Sequence, residues 1–170
     1  AGLRNLGARR IIGIDPLPAR LRASQQMGAT HTVCARGIDA EQSVRELLDG
    51  QLPEFVIEAV GHKAQAFNDA VRLVRDYGTV LFFGVPPHSI DNAALRALMW
   101  KNGSLLTSLH PDFERTFPLA MQWIAEGRVN LQPLLTHRFP LQQLQQAFDV
   151  FRDRTDGALK VLVEFPALHV

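Results

Sequence analysis

Between Ile11 and Leu109 the sequence alternates short β-branched runs with helical patterns, and that rhythm restricts the chain to βαβ units around a parallel sheet. The expected strands are Arg10 to Ile14, His31 to Cys34, Phe55 to Val60, Thr79 to Phe83 and Ser104 to Leu109. They read as continuous apolar runs, as expected where helices cover both faces of a sheet. Between them, Ala66, Phe67, Ala70, Val71 and Val74 recur at helical spacing and end at the turn Asp76-Tyr77-Gly78. Asp39 with Gln42 resembles a capping box for a helix through Val44, Leu47 and Leu48, closed by Gly50. Leu95, Leu98 and Met99 mark a further helix packed on the core.

After Leu109 the rhythm changes to a helix around Phe117 to Glu126, a strand near Leu134 to Phe139, a helix over Leu141 to Arg152 and a strand from Lys160 to Phe165. The expected division is therefore a parallel-sheet α/β domain over 1–108 and a separate packing unit over 109–170. Hydrophobic residues make up 46% of the 170 and charged residues 21%, the ordinary balance of a globular chain. Basic and acidic residues nearly cancel, 18 against 17, so no field exists to hold a polyanion, and a nucleic acid or anionic membrane partner is not expected. No apolar run approaches the roughly 18 residues of a membrane span, no signal core opens the chain, and Cys34 is the single cysteine; a cytoplasmic location is expected.

The segment Gly7-Ala8-Arg9-Arg10-Ile11-Ile12-Gly13-Ile14-Asp15 reads as a helix end, a buried strand and a carboxylate at the strand's carboxyl tip. In a dinucleotide fold such a carboxylate accepts the hydroxyls of the adenosine ribose and repels a 2′-phosphate, which favours NAD over NADP. The same residue also suits ending a strand or capping the helix that begins near Pro18. The acidic reader normally follows a glycine-rich turn by about 20 residues, yet only 14 precede Asp15. The first strand and its turn are expected upstream of Ala1, so that the doubly wound, Rossmann-like sheet lacks its first strand between the strands ending at Asp15 and Val60. Such a chain by itself is expected to be poorly stable and without dehydrogenase activity.

In order and spacing, Gly13-Ile14-Asp15, Met27-Gly28-Ala29-Thr30-His31, Phe55-Val56-Ile57-Glu58-Ala59-Val60-Gly61, Gly78-Thr79-Val80-Leu81-Phe82-Phe83-Gly84-Val85-Pro86, Gly127-Arg128-Val129, Pro133-Leu134-Leu135-Thr136-His137 and Gly157-Ala158-Leu159-Lys160-Val161 resemble the medium-chain dehydrogenase/reductase superfamily, specifically the C-terminal part of zinc-type alcohol, polyol and threonine dehydrogenases. The resemblance implies NAD as cofactor, with Asp15 reading the ribose and Arg20 beside it. It places Ala59, Val60 and Gly61 against the cofactor riboses, Gly84 and Val85 beside the nicotinamide, Thr107 to Leu109 near the same pocket, and Lys160 toward the pyrophosphate. It further implies hydride transfer to or from a small alcohol or polyol, a C-terminal α+β segment returning to the catalytic domain, and a homodimer through the edge strand Ser104 to Leu109.

No catalytic residue and no metal ligand is expected in this chain. Zinc is implied for the complete protein, but Cys34 stands alone, and His31, His62, His88, His110, His137 and His169 have no close ligand spacing. A short-chain dehydrogenase is excluded, because the only tyrosine, Tyr77, is followed four residues later by Leu81 instead of lysine. An S-adenosylmethionine methyltransferase would leave Gly84-Val85-Pro86 and the C-terminal segment unexplained. The remaining alternatives are a zinc-free quinone reductase relative and a non-catalytic dimerising chain.

Overall fold

The computed structural model describes residues 1–34, 40–110 and 112–166. Its elements, in chain order, are α1 (Gly2–Asn5), β1 (Ile12–Ile14), α2 (Pro18–Gln26), β2 (His31–Val33), α3 (Ala40–Leu47), β3 (Phe55–Glu58), α4 (Ala64–Leu73), β4 (Thr79–Phe82), α5 (Leu95–Trp100), β5 (Ser104–Thr107), α6 (Phe113–Ala125), β6 (Leu135–Pro140), α7 (Leu144–Asp153) and β7 (Lys160–Glu164). Every strand pairing is parallel: β1 with β2, β4 between β3 and β5, and β6 with β7. The alternation read from the sequence is therefore an α/β fold, and β1 to β5 are each shorter than their apolar runs. The residues at the carboxyl tips leave the ladder to make turns. Asp39 of the expected capping box lies outside the described residues.

The chain divides into two compact units, one formed by residues 1–34 with 118–166 and the other by 40–117. In the first, Gly7 at φ +86° closes α1, with the Ala8 N–H reaching the Leu3 carbonyl at 2.9 Å, the left-handed glycine stop expected for a helix end. β1 and β2 run in register, Ile12 opposite His31 and Ile14 opposite Val33. Thr30 fastens their start, its hydroxyl accepting from Ile11 N at 2.9 Å and donating to Ile11 O at 3.0 Å. A Cβ at Gly13 would strike the Ser24 hydroxyl, so the glycine is what lets α2 lie close on β1. In the same unit α7 carries the chain from β6 to β7, burying Ala147. Thr136 accepts from Leu159 N at 3.0 Å and donates to Lys160 O at 3.2 Å.

The second unit has the larger core. Phe67, Ala70 and Val71 of α4, with Val74 just past its end, form one stripe at i, i+3, i+4 and i+7, packed with Val80 of β4 and Leu98 of α5. Phe67 and Phe82 meet with ring centroids 5.3 Å apart. The stripe of α5 is narrower than its sequence suggests: Leu98 is buried, but Leu95 is 50% and Met99 77% exposed. A six-residue helix makes fewer than two turns, and only one of its apolar residues reaches the core. Cover on both sheet faces also fails for β5, exposed at all four positions as an edge strand. No ladder joins β1 to β3 among the described residues, so each leaves one edge free.

α6 begins earlier than its apolar pattern indicates, because Asp112 Oδ1 accepts the Arg115 N–H at 3.3 Å and caps it. The C-terminal end of α4 is closed from another element. Lys101 Nζ donates to the carbonyls of Val71, Arg72 and Val74 at 3.0, 2.9 and 2.6 Å. Burial holds its pKa below the ordinary lysine value, while Glu41 and Asp76 act in the opposite direction. A cation is favoured there by the negative end of the helix dipole. Lys101→Met would leave these carbonyls without their donor and lower stability by about 1–3 kcal/mol. Urea unfolding reads this, and a midpoint equal to the parent's would show that the ammonium contributes nothing.

Candidate functional site

Two groups of the expected site residues are assembled, one in each unit. In the first, Asp15 follows β1 directly, and its own N–H still donates to Val33 O at 3.3 Å. Its Oδ1 accepts the Leu17 N–H at 2.8 Å, two residues on, a turn that aims the chain into α2 with Pro18 in the first helical turn. Its Oδ2 lies 3.5 Å from Arg20 Nη1. The structural role and the cofactor-reading role are therefore compatible. A carboxylate has about four lone-pair sites, and these contacts engage one on each oxygen.

Arg20 and Lys160 line a single cavity of about 410 Å³ together with Ala23, Ser24, Met27, Leu134, Phe151 and Leu159. Lys160 opens β7, opposite Leu135. Two cations thus border one mostly apolar recess within the unit that carries Asp15.

In the second unit Ala59, Val60 and Gly61 leave the carboxyl end of β3, and Gly84 and Val85 leave that of β4. These two tips touch through backbone. Gly61 has φ +61°, and a Cβ there would come within 2.5 Å of Val85 O and 2.7 Å of Val85 N. A Cβ on Gly84 would strike the Gly61 nitrogen. The His62 N–H donates to Val85 O at 2.8 Å. Both glycines are thus required by close approach, Gly61 also by its left-handed backbone. Val60 and Val85 present apolar side chains, 63% and 48% exposed. Thr107 stays in the β5 ladder opposite Phe82, and Leu109 beyond it is exposed.

Glu58, the last residue of β3, is a functional candidate that pattern reading passed over. Only 4% exposed, it places Oε1 to accept the N–H groups of Val60 at 2.8 Å and Gly61 at 2.9 Å. Its backbone carbonyl accepts Phe83 N and Gly84 N, both at 2.9 Å. Its Oε2 is buried without a hydrogen-bond partner. The available signal was a carboxyl inside the apolar run Phe55-Val56-Ile57-Glu58-Ala59-Val60, since glutamate is almost never fully buried without partners.

Among the described residues no three His, Cys, Asp or Glu side chains converge into a metal site; His169 lies outside them. No helix among them is long and apolar enough to cross a membrane. His137 stands between the Thr136 hydroxyl at 2.9 Å and Asp156 at 3.5 Å and stacks on Phe139, which accounts for it structurally.

Residues 1–126 match the family described as zinc-binding dehydrogenase. An alcohol dehydrogenase of Cupriavidus necator is 31% identical over 166 residues, a match covering 96% of this chain and 45% of that protein. The L-threonine 3-dehydrogenase of Bacillus subtilis is 27% identical, with 89% and 43% covered, and the sorbitol dehydrogenase of Gallus gallus 28% identical, with 94% and 44% covered. Among solved structures, L-idonate 5-dehydrogenase of Escherichia coli superposes with a TM-score of 0.81 at 27% identity, over 95% of this chain and 45% of its own. An Escherichia coli alcohol dehydrogenase solved with NADH gives 0.82 at 22% identity, over 96% and 47%, a likeness in fold alone. The chain spans less than half the length of these relatives. With three quarters of its residues inside the family match and a parallel α/β architecture shared with its members, the chain belongs to the zinc-binding dehydrogenase family.

Proposed function

We propose that this chain seats the cofactor of an NAD-dependent, zinc-type alcohol or polyol dehydrogenase. The observation that carries the reading is Asp15, a carboxylate at the carboxyl tip of β1 that keeps acceptor capacity after its contacts with Leu17 and Arg20. Ribose hydroxyls would donate to it, and a 2′-phosphate would meet its charge. Arg20 and Lys160 supply the cations for the ribose and pyrophosphate end, where charge-assisted hydrogen bonds are the stronger kind. Ala59, Val60, Gly61, Gly84 and Val85 offer an apolar surface with Cβ-free close contacts, suited to flat rings and riboses, and the family resemblance assigns Thr107 to Leu109 to the nicotinamide end. Bound there, NAD would supply the hydride acceptor for oxidation of a secondary alcohol, and the role of this chain's residues would be to bind and orient it.

In this reading the zinc and the residues that handle the substrate's proton are contributed by other parts of the complete protein. In that protein, residues 1–108 form the dinucleotide-binding portion and 109–170 return to the catalytic domain. Exposed Leu105 and Leu106 on edge strand β5 support pairing with a second copy. A cytoplasmic location goes with free Cys34.

Isothermal titration of the full-length protein is expected to show NADH bound more tightly than NADPH, and Asp15→Ala to erase at least about tenfold of that preference by removing a hydrogen-bonded charge. Equal or reversed affinities in the parent would sink the reading. Light scattering on the same protein should give a dimer, and Leu106→Lys, which puts a charge on the exposed edge, should give the monomer mass. A parent that is already monomeric, or a variant that stays dimeric, refutes the β5 interface.

A further inference from the structure

We propose that Glu58 is a positioning residue that locks the tips of β3 and β4 together and so fixes the backbone on which the cofactor lies. Four backbone N–H groups converge on this one residue. Phe83 and Gly84, from the tip of β4, donate to its carbonyl oxygen at 2.9 Å, and Val60 and Gly61, from its own strand, donate to its Oε1 at 2.8 and 2.9 Å. The carbonyl bonds join the two strands. The carboxyl bonds bend the chain so that Gly61 returns against Gly84 and Val85, where no Cβ fits between them.

The second carboxyl oxygen makes the case specific. Oε2 is buried, has no hydrogen-bond partner, and lies about where a Cβ on Gly84 would need to go, 2.5 Å from that position. A group needed only to fill space would be apolar there, because a buried acceptor without a donor is costly. The polar atom is retained because its partner oxygen does work no apolar side chain can do, holding two amides of a turn that contains the left-handed pair Gly61 and His62. Glu58 is itself only 4% exposed. It acts through the positions of Val60, Gly61, Gly84 and Val85, and the inference rests on the proposed cofactor reading for its functional consequence only.

Native-state amide exchange on the full-length protein, followed by mass spectrometry or NMR against urea, tests the coupling directly. The amides of Val60, Gly61, Phe83 and Gly84 are expected to exchange through one opening event with a shared denaturant dependence. Separate openings for the two tips overturn the proposal, whether or not any variant folds. In Glu58→Leu the four amides should exchange at least about tenfold faster, while Val56, Ile57, Val80 and Leu81 keep their protection. Acceleration limited to Val60 and Gly61, or spread evenly over the sheet, overturns it.

NADH affinity supplies the functional arm. Glu58→Leu should weaken binding about tenfold or more, and Glu58→Gln, whose amide oxygen can still accept both N–H groups, should stay within about threefold of the parent. A Glu58→Leu protein with loosened tips and unchanged NADH affinity refutes the functional half. If the parent itself binds no NADH, the cofactor reading fails, and the exchange pattern still decides whether Glu58 couples the tips.

Discussion

Parallel pairing is the constraint from which the rest of this molecule follows. A parallel ladder needs a long crossover between neighbouring strands, and α2, α4, α5 and α7 are those crossovers. Within a unit it also gives all strand tips the same polarity. β3 and β4 therefore release Ala59 to Gly61 and Gly84 to Val85 at one edge of one sheet, and β1 releases Asp15 at the corresponding edge of another. At these carboxyl edges the ladder stops and the chain must satisfy its backbone by other means.

Asp15 and Glu58 show two outcomes of that requirement. Each is an acid at a carboxyl tip, and each turns the chain by accepting the N–H two residues ahead, Leu17 in one case and Val60 in the other. Asp15 sits at the surface beside Arg20 and keeps capacity for a ligand. Glu58 has one more methylene, enough to reach Gly61 as well, and it is enclosed by the tip of β4. The shared turn chemistry is local, and the difference in role comes from what covers the residue.

That distinction also explains which parts of the molecule could be read from the chain alone. The α4 stripe of Phe67, Ala70, Val71 and Val74 was legible because its spacing states its own buried face, and the parallel strands were legible as apolar runs between helical patterns. Gly7 and Asp15 were legible because turn and cap chemistry is short-range. Exposure was not. Leu95 and Met99 have the right spacing for a core face, yet burial depends on what lies opposite, and in its own unit α5 covers only Leu98. Glu58 was hidden for the converse reason: within an apolar strand run it looks like an interruption, and the four N–H groups that explain it come from two separate strand tips.

The same physics bears on how far family membership carries. Contacts at the strand tips are mainly backbone to backbone, enforced by Gly61 and Gly84 and by hydrogen bonds to which Glu58 adds a side-chain acceptor. Such a surface can persist while most side chains change, which fits relatives 27% to 31% identical whose names cover an alcohol, threonine and sorbitol. A shared backbone architecture therefore says little about substrate choice, which requires specific side chains facing the reacting carbon. What this chain constrains is the backbone of the sheet edge itself, where Gly61 and Gly84 let the tips of β3 and β4 meet without a Cβ between them.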